Sequence, residues 1–434
     1  MEEAEAEIRK MAGQDQDIKK ERTTQGIRVI TDYIPYVQSV SISITCDRGS
    51  RYEDVNMAGV SHFIEHMLFK GTKKRTAKEI ALCLEEVGGY LNAQTGKEDV
   101  VYYACVGMDY IDRAFDLLSD IITNATLDDT DMERERGVIM REIATYNDLP
   151  QENLIDNAVR LLFGENDGYG IPVVGYSETV GRMGREDLLW HLSQNYKYND
   201  IVVTAVGNLE HRSLMEMVEE KLERGLNWNG GIKSELRFEP PEVKSINERK
   251  LEQQYICHIW KGIKYSDERR YALSVLNAIL CGMVSSRLFQ RLREDMGLVY
   301  DISSTPRLMR DAGFFAIMYA TYPQAGGKVI SIVREEVEKL LNEGISEGEL
   351  KTAREYIKGG IMLGLESTIT RMMRLIKNEV YLGRIIPLKE SIERFDGVTR
   401  EEVEEVAREL FSEEGMVVAV GPKVKKLSKV IRGN

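Results

Sequence analysis

The sequence predicts an α+β fold of two homologous halves, each an antiparallel or mixed β-sheet packed against helices, joined by a linker. Three observations predict it. A chain of 434 residues exceeds one ordinary hydrophobic core and calls for two domains or more. Short β-branched runs alternate with stretches of helical apolar periodicity, as in sheets layered with helices. The pattern also repeats. Gly184–Leu189 running on to Asn208, and Thr399–Glu404 running on to Pro422, each read as helix start, helix, turn and apolar strand closed by glycine. The offset is 215 between Arg185 and Arg400 and 214 between Gly207 and Gly421. Thr126 and Gly344, each ahead of a long helix, lie 218 apart. A near-constant offset marks one duplication, not a solenoid.

Taken in order, residues 1–20 read as a polar helix or a frayed tail. Gly26–Asp32 and Val37–Cys46 have the β-branched content of strands, and Val100–Val106 reads as another. Met108–Ala125 and Asp131–Tyr146 carry helical periodicity, with Leu127–Thr130 as a cap region. Gly and Pro in Asn227–Gly231 and Phe238–Pro241 punctuate a linker. The expected spans are therefore 22–225, a linker at 226–246, and 247–430.

Composition narrows the function classes. Hydrophobic residues at 43% and charged residues at 30% are those of a globular protein. No apolar run approaches the ~20 residues that span a bilayer. A net charge of −13 argues against nucleic-acid and anionic-membrane binding. The acidic start Met1–Glu7 lacks the basic and apolar regions of a signal peptide, so a cytoplasmic location is expected. Cys46, Cys83, Cys105, Cys257 and Cys281 form no C-x-x-C motif and read as buried free thiols in a reducing compartment.

The chemistry is concentrated in His62-Phe63-Ile64-Glu65-His66. On a helix, positions i, i+3 and i+4 share one face, so His62 and His66 can grip one metal ion while Glu65 reaches its water. This is the H-E-x-x-H metalloprotease motif in inverted order. A catalytic zinc has three protein ligands and an open position, so a third ligand is required. The candidate is Glu142, 76 residues past His66, with Glu135 two turns upstream on the same face as a supporting group. A glutamate on a charged helix is by itself usually just solvated. Two imidazoles and a carboxylate suit zinc best, with manganese or cobalt as possible substitutes.

His62–His66 followed by Met67-Leu68-Phe69-Lys70-Gly71-Thr72 closely resembles the pitrilysin-type (inverzincin, M16) metallopeptidases, and the resemblance covers about residues 22–425. It implies Glu142 as third ligand, in Glu135-Arg136-Gly137-Val138-Ile139-Met140-Arg141-Glu142-Ile143, and one Zn²⁺ per chain. It implies that Gly88–Thr95 holds the substrate-binding edge strand, with Asn92 and Ala93 contacting an extended peptide by strand addition. It also implies catalytic roles for Arg293 and Tyr300, seven apart in a second-half signature that reaches the zinc site. No metal motif recurs in the second half, where His258 stands alone. The implied activity is zinc-dependent endopeptidase cleavage of unfolded peptides or precursor segments. Long members of the family close a chamber with four domains. A two-domain chain implies a homodimer with a composite active site, in which Arg293 and Tyr300 of one protomer face the zinc of the other. The alternative is a non-catalytic or partner-dependent scaffold subunit of the same fold.

Overall fold

The computed structural model describes residues 17–431 except 229, 234–236, 238 and 243. Residues 1–16 of the expected N-terminal helix or tail, and Asn229 and Phe238 of the expected linker, lie outside the described residues. Contacts divide the chain into two compact units that are not contiguous in sequence. Unit 1 comprises the described residues up to Ala144, Ile171–Pro240 and Gly364–Lys389. Unit 2 comprises Thr145–Gly170, Pro241–Leu363 and the described residues from Glu390.

Unit 1 is built on strands β1 (Ile18–Arg22), β2 (Arg28–Tyr33), β3 (Ser39–Cys46), β4 (Tyr90–Thr95), β5 (Val100–Gly107) and β6 (Ile201–Gly207). Their spatial order is β1-β2-β6-β3-β5-β4. The pair β2–β6 is parallel and the others are antiparallel. Strand β1 starts at Ile18, inside the segment expected as helix or tail, and pairs Ile18 with Asp32. Its sequence IKKER has one apolar residue and no alternation to betray an edge strand.

Unit 2 holds β7 (Ile246–Glu248), β8 (Gln254–Gly262), β9 (Val299–Leu308), β10 (Gly313–Thr321) and β11 (Met416–Gly421). The order β7-β11-β8-β10-β9, with β7–β11 parallel, repeats the order β2-β6-β3-β5-β4 strand for strand. The repeated glycines have a shared backbone reason. Gly207 and Gly421 close β6 and β11 at φ +138, and a Cβ there would lie 2.3 Å from Ser39 O and 2.5 Å from Gln253 O, respectively.

Both sheets are covered on both faces, which is why β6 reads as an unbroken apolar run instead of alternating. On one face of the unit 1 sheet, Val203 and Ala205 join the main core with Phe63, Ile64, Phe115 and Leu118. On the other face, Val202 and Val206 pack against Met372, Leu375, Ile376 and Val380 of helix Thr368–Leu382. In unit 2, Leu154 and Ala158 of helix Pro150–Phe163 pack against Cys257, Ile259, Val418 and Val420 on β8 and β11. Each sheet is thus backed by a helix from the opposite half of the sequence. The apolar stretch Arg270–Asp295 has the composition of a membrane span, longer than the sequence reading allowed. Two-thirds of its most apolar window (67%) is buried inside the unit, as in a core helix.

Candidate metal centre

Helix Val60–Leu68 positions the motif. It starts after Gly59, whose φ of +94 brings the chain against Val174, where a Cβ would sit 2.8 Å from the carbonyl oxygen. The first turn is held by a residue that sequence reasoning missed. The Glu53 carboxylate accepts the N–H groups of Gly59 (2.7 Å) and Ser61 (2.8 Å). An acid a few residues ahead of a glycine-started helix was the available signal, since a negative charge suits a helix N-terminus. Burial raises Glu53 to about 7 despite the hydrogen bonds from Ser61 and Gly59. Ser61 also meets His191 (3.2 Å), which burial holds neutral by lowering it to about 4. Val60, Phe63, Ile64, Met67 and Leu68 bury the apolar face, leaving Glu65 and His66 half-exposed.

Helix Asp129–Asp148 supplies the carboxylates. Met132, Glu135, Ile139 and Ile143 form its buried stripe. Glu142 lies three residues after Ile139, at the edge of that stripe. His62 Nε2 lies 3.6 Å from Glu142 Oε1, and His66 Nε2 lies 3.6 Å from Glu142 Oε2. The ligand atoms of His62, His66 and Glu142 all fall within 4.8 Å of one another. Separations of 3.6 Å are too long for hydrogen bonds. They come close to the roughly 3.4 Å edge of a tetrahedron with ligand bonds of about 2.1 Å, and two imidazoles with a carboxylate are the donor types that suit zinc.

Supporting groups treat the two histidines differently. His66 Nδ1 meets Glu135 Oε2 at 3.1 Å, and Lys70 Nζ holds the other Glu135 oxygen at 2.9 Å. Burial pushes the Glu135 carboxyl up, but Lys70 and His66 outweigh it and leave the group below its ordinary range. His62 Nδ1 is buried without a hydrogen-bond partner among the described residues. Burial, with His66 beside it, lowers His62 to about 4, so its imidazole is neutral and free to ligate. Burial raises the Glu65 carboxyl, an effect partly offset by a hydrogen bond from Thr95 and by His66.

Strand β4 stands at the end of its sheet, and among the described residues it pairs only with β5, leaving its other edge open. Tyr90, Asn92 and Gln94 are exposed, whereas Leu91, Ala93 and Thr95 are half-buried. Asn92 Oδ1 accepts the Ala93 N–H (2.8 Å). The Thr95 hydroxyl donates to Glu65 Oε2, a contact that sequence reasoning also missed. His62, Glu65, His66, Glu135 and Glu142 are therefore gathered in unit 1, with Asn92 and Ala93 on the strand that Thr95 ties to Glu65. Arg293 and Tyr300 lie in unit 2, where the Arg293 guanidinium is 5.6 Å from the Tyr300 ring and 4.8 Å from the Phe289 ring. Tyr300 is 80% exposed.

Two family models match successive stretches of the sequence, and each stretch runs through parts of both units. Residues 28–168 match the insulinase (peptidase family M16) model, and residues 182–357 match the peptidase M16 inactive domain. An uncharacterized zinc protease of Bacillus subtilis, YmxG, is 34% identical over 411 residues, covering 93% of this chain and 98% of the relative. The uncharacterized zinc protease Rv2782c of Mycobacterium tuberculosis is 36% identical over 410 residues, covering 93% of each. The crystal structure of a peptidase M16 inactive domain from Pseudomonas fluorescens superposes with a TM-score of 0.84 at 19% identity, covering 94% of this chain and 99% of that one. A protease from Helicobacter pylori also superposes at 0.84, with 18% identity and coverage of 93% and 99%. Relatives alike along almost their whole length, together with two adjoining domain models, place the chain in the insulinase family, peptidase family M16.

Proposed function

We propose that this chain is a zinc-dependent endopeptidase acting on unfolded peptides or precursor segments. The observation that carries the reading is the convergence of His62 Nε2, His66 Nε2 and Glu142, with Glu65 beside them and an open strand edge tied to Glu65. His62, His66 and Glu142 would hold one Zn²⁺ per chain, which when bound supplies Lewis acidity and activates water. Asn92 and Ala93 on β4 take the substrate as an added strand, which only an extended backbone can form. Glu65 accepts the proton of the attacking water and passes it to the leaving amine.

Arg293 and Tyr300 complete the site from a second copy of the chain, in a homodimer whose chamber admits only unfolded segments. Their pairing and the exposure of Tyr300 support a surface made to meet something outside its own unit. Five free cysteines, three of them buried, support a reducing, cytoplasmic setting.

The deciding experiment is cleavage of an unstructured peptide of about 20 residues by wild type and Glu65→Gln, with zinc assayed on both. Cleavage by wild type, and retained zinc with lost cleavage in Glu65→Gln, is the expected result. Zinc in both with no cleavage of any peptide in a diverse pool would point instead to the scaffold subunit.

A further inference from the structure

The geometry points to Thr95 as a positioning residue that couples the peptide-binding edge strand to the general base Glu65, a role that rests on the peptidase reading above. Strand β4 alternates, and Leu91, Ala93 and Thr95 face the half-buried side. Leu91 and Ala93 pack against the main core of unit 1. Thr95, last of the three, ends in a hydroxyl that donates to Glu65 Oε2 on helix Val60–Leu68. One residue of the peptide-binding strand thus holds the carboxylate that must face the attacking water. Being β-branched, Thr95 has a restricted χ1, so the position of the strand sets the position of the hydroxyl.

A second link runs between the same two elements, independent of any side chain on β4. Beyond Thr95 the chain turns through Gly96–Asp99, with the Gly96 N–H bonded to Asp99 O (2.8 Å). The N–H groups of Ser50 and Arg51 donate to Gly96 O (3.0 Å) and Lys97 O (2.8 Å). Gly49 has no room for a side chain there, since a Cβ would lie 2.5 Å from Gly96 O. Arg51 also pairs with the buried Glu98 at 2.7 Å. Two residues on, Glu53 caps helix Val60–Leu68. The turn after the edge strand therefore holds Ser50 and Arg51, next to the Glu53 side chain that caps the motif helix, and Thr95 holds Glu65 directly. An extended peptide added to β4 satisfies the open edge and stiffens the strand. The bond is already made with the edge empty, so Thr95 holds the base in place before the peptide arrives.

Thr95→Val and Thr95→Ser separate this role from simple packing. Valine keeps the β-branched shape and loses the hydroxyl, whereas serine keeps the hydroxyl and loses the shape. Positioning requires the order Thr ≈ Ser > Val in kcat, with a drop of about 10- to 100-fold for Val and KM nearly unchanged. Packing alone requires the opposite order, Val above Ser, and that result overturns the proposal. In a Glu65→Gln background, Thr95→Val should leave the Kd of a fluorescein-labelled 20-residue peptide and the zinc content unchanged; weakened binding or lost zinc overturns it. A wild-type chain that cleaves no peptide overturns the proposed function and this role with it, whereas an active wild type with fully active Thr95→Val overturns this role alone.

Discussion

Units 1 and 2 share five strands in one order, yet among the described residues the only group able to hold a metal is His62, His66 and Glu142 in unit 1. The long helices Asp129–Asp148 and Glu347–Gly364 start 218 residues apart. At that offset Gly360 stands where unit 1 has Glu142, and the fully buried Ala353 where it has Glu135. The leading helices differ in the same sense. Helix Val60–Leu68 places Glu65 and His66 at its half-exposed positions, whereas Arg270–Asn277 places Ser274 and Asn277 there. The comparison teaches that backbone order and site chemistry are set by separate residues. The β-branched strands and their closing glycines specify the sheet, and a handful of polar positions on two helices make the candidate metal centre.

The most severe way to break this contrast is to make unit 1 resemble unit 2 at one ligand. Glu142→Ala should lose stoichiometric zinc and lower kcat/KM by at least about 1,000-fold, checked by metal analysis and peptide cleavage. Retention of tight zinc would remove Glu142 from the ligand set. The role given to unit 2 is probed by mixing two inactive variants, Glu65→Gln and Tyr300→Phe. If protomers exchange Tyr300, mixed dimers contain one intact site, and activity should return to roughly a quarter of wild type. No recovery after subunit exchange would confine each site to one chain. Glu135→Gln should weaken zinc binding about 10- to 100-fold by freeing the His66 ring, as read by chelator competition.

Subtler tests address what the units have in common. Leu375→Ala in the helix backing the first sheet should cost about 2–5 kcal/mol, and Leu154→Ala a similar amount in the second, measured by denaturant unfolding. Each unit also buries a neutral histidine. Burial lowers His191 to about 4 and His258 to about 3. Both folded values lie below the ordinary 6.5, so the unfolded chain binds more protons in between. In the metal-free protein the two rings therefore contribute stability that is complete above pH 6.5 and is lost as pH drops from 6.5 towards 4, while the raised Glu53 acts in the opposite sense over the same range. A His191→Gln/His258→Gln variant whose thermal midpoint varies with pH over that range just as wild type does would show that neither ring is held neutral.

Some of this was legible in the chain. The H-x-x-E-H spacing is local, so helix geometry alone unites His62, Glu65 and His66. The repeat offsets likewise exposed the duplication, because strand ends and helix caps leave local marks. Glu142 is different: 76 residues separate it from His66, and only the family resemblance singled it out. Thr95 acts through a contact made by folding and leaves no spacing to read, and Glu53 leaves only the faint mark of an acid ahead of a glycine-started helix. The backing helices show the limit most clearly. An amphipathic pattern says that helix Pro150–Phe163 buries one face, but not which sheet receives it, so the contiguous spans 22–225 and 247–430 differ from the compact units.

That exchange has a consequence for how the protein is made. The first sheet lacks its cover until Lys389 has left the ribosome, although its last strand ends at Gly207. At about 5–20 residues added per second, Val202, Val206 and Ile30 stay uncovered for roughly ten to thirty seconds. Neither half can be produced alone as a finished body, and a gene cut at the linker would yield two sticky fragments instead of two domains. Duplication gave the chain two sheets of one strand order, and the traded helices make each sheet wait on the other half of the sequence for its cover.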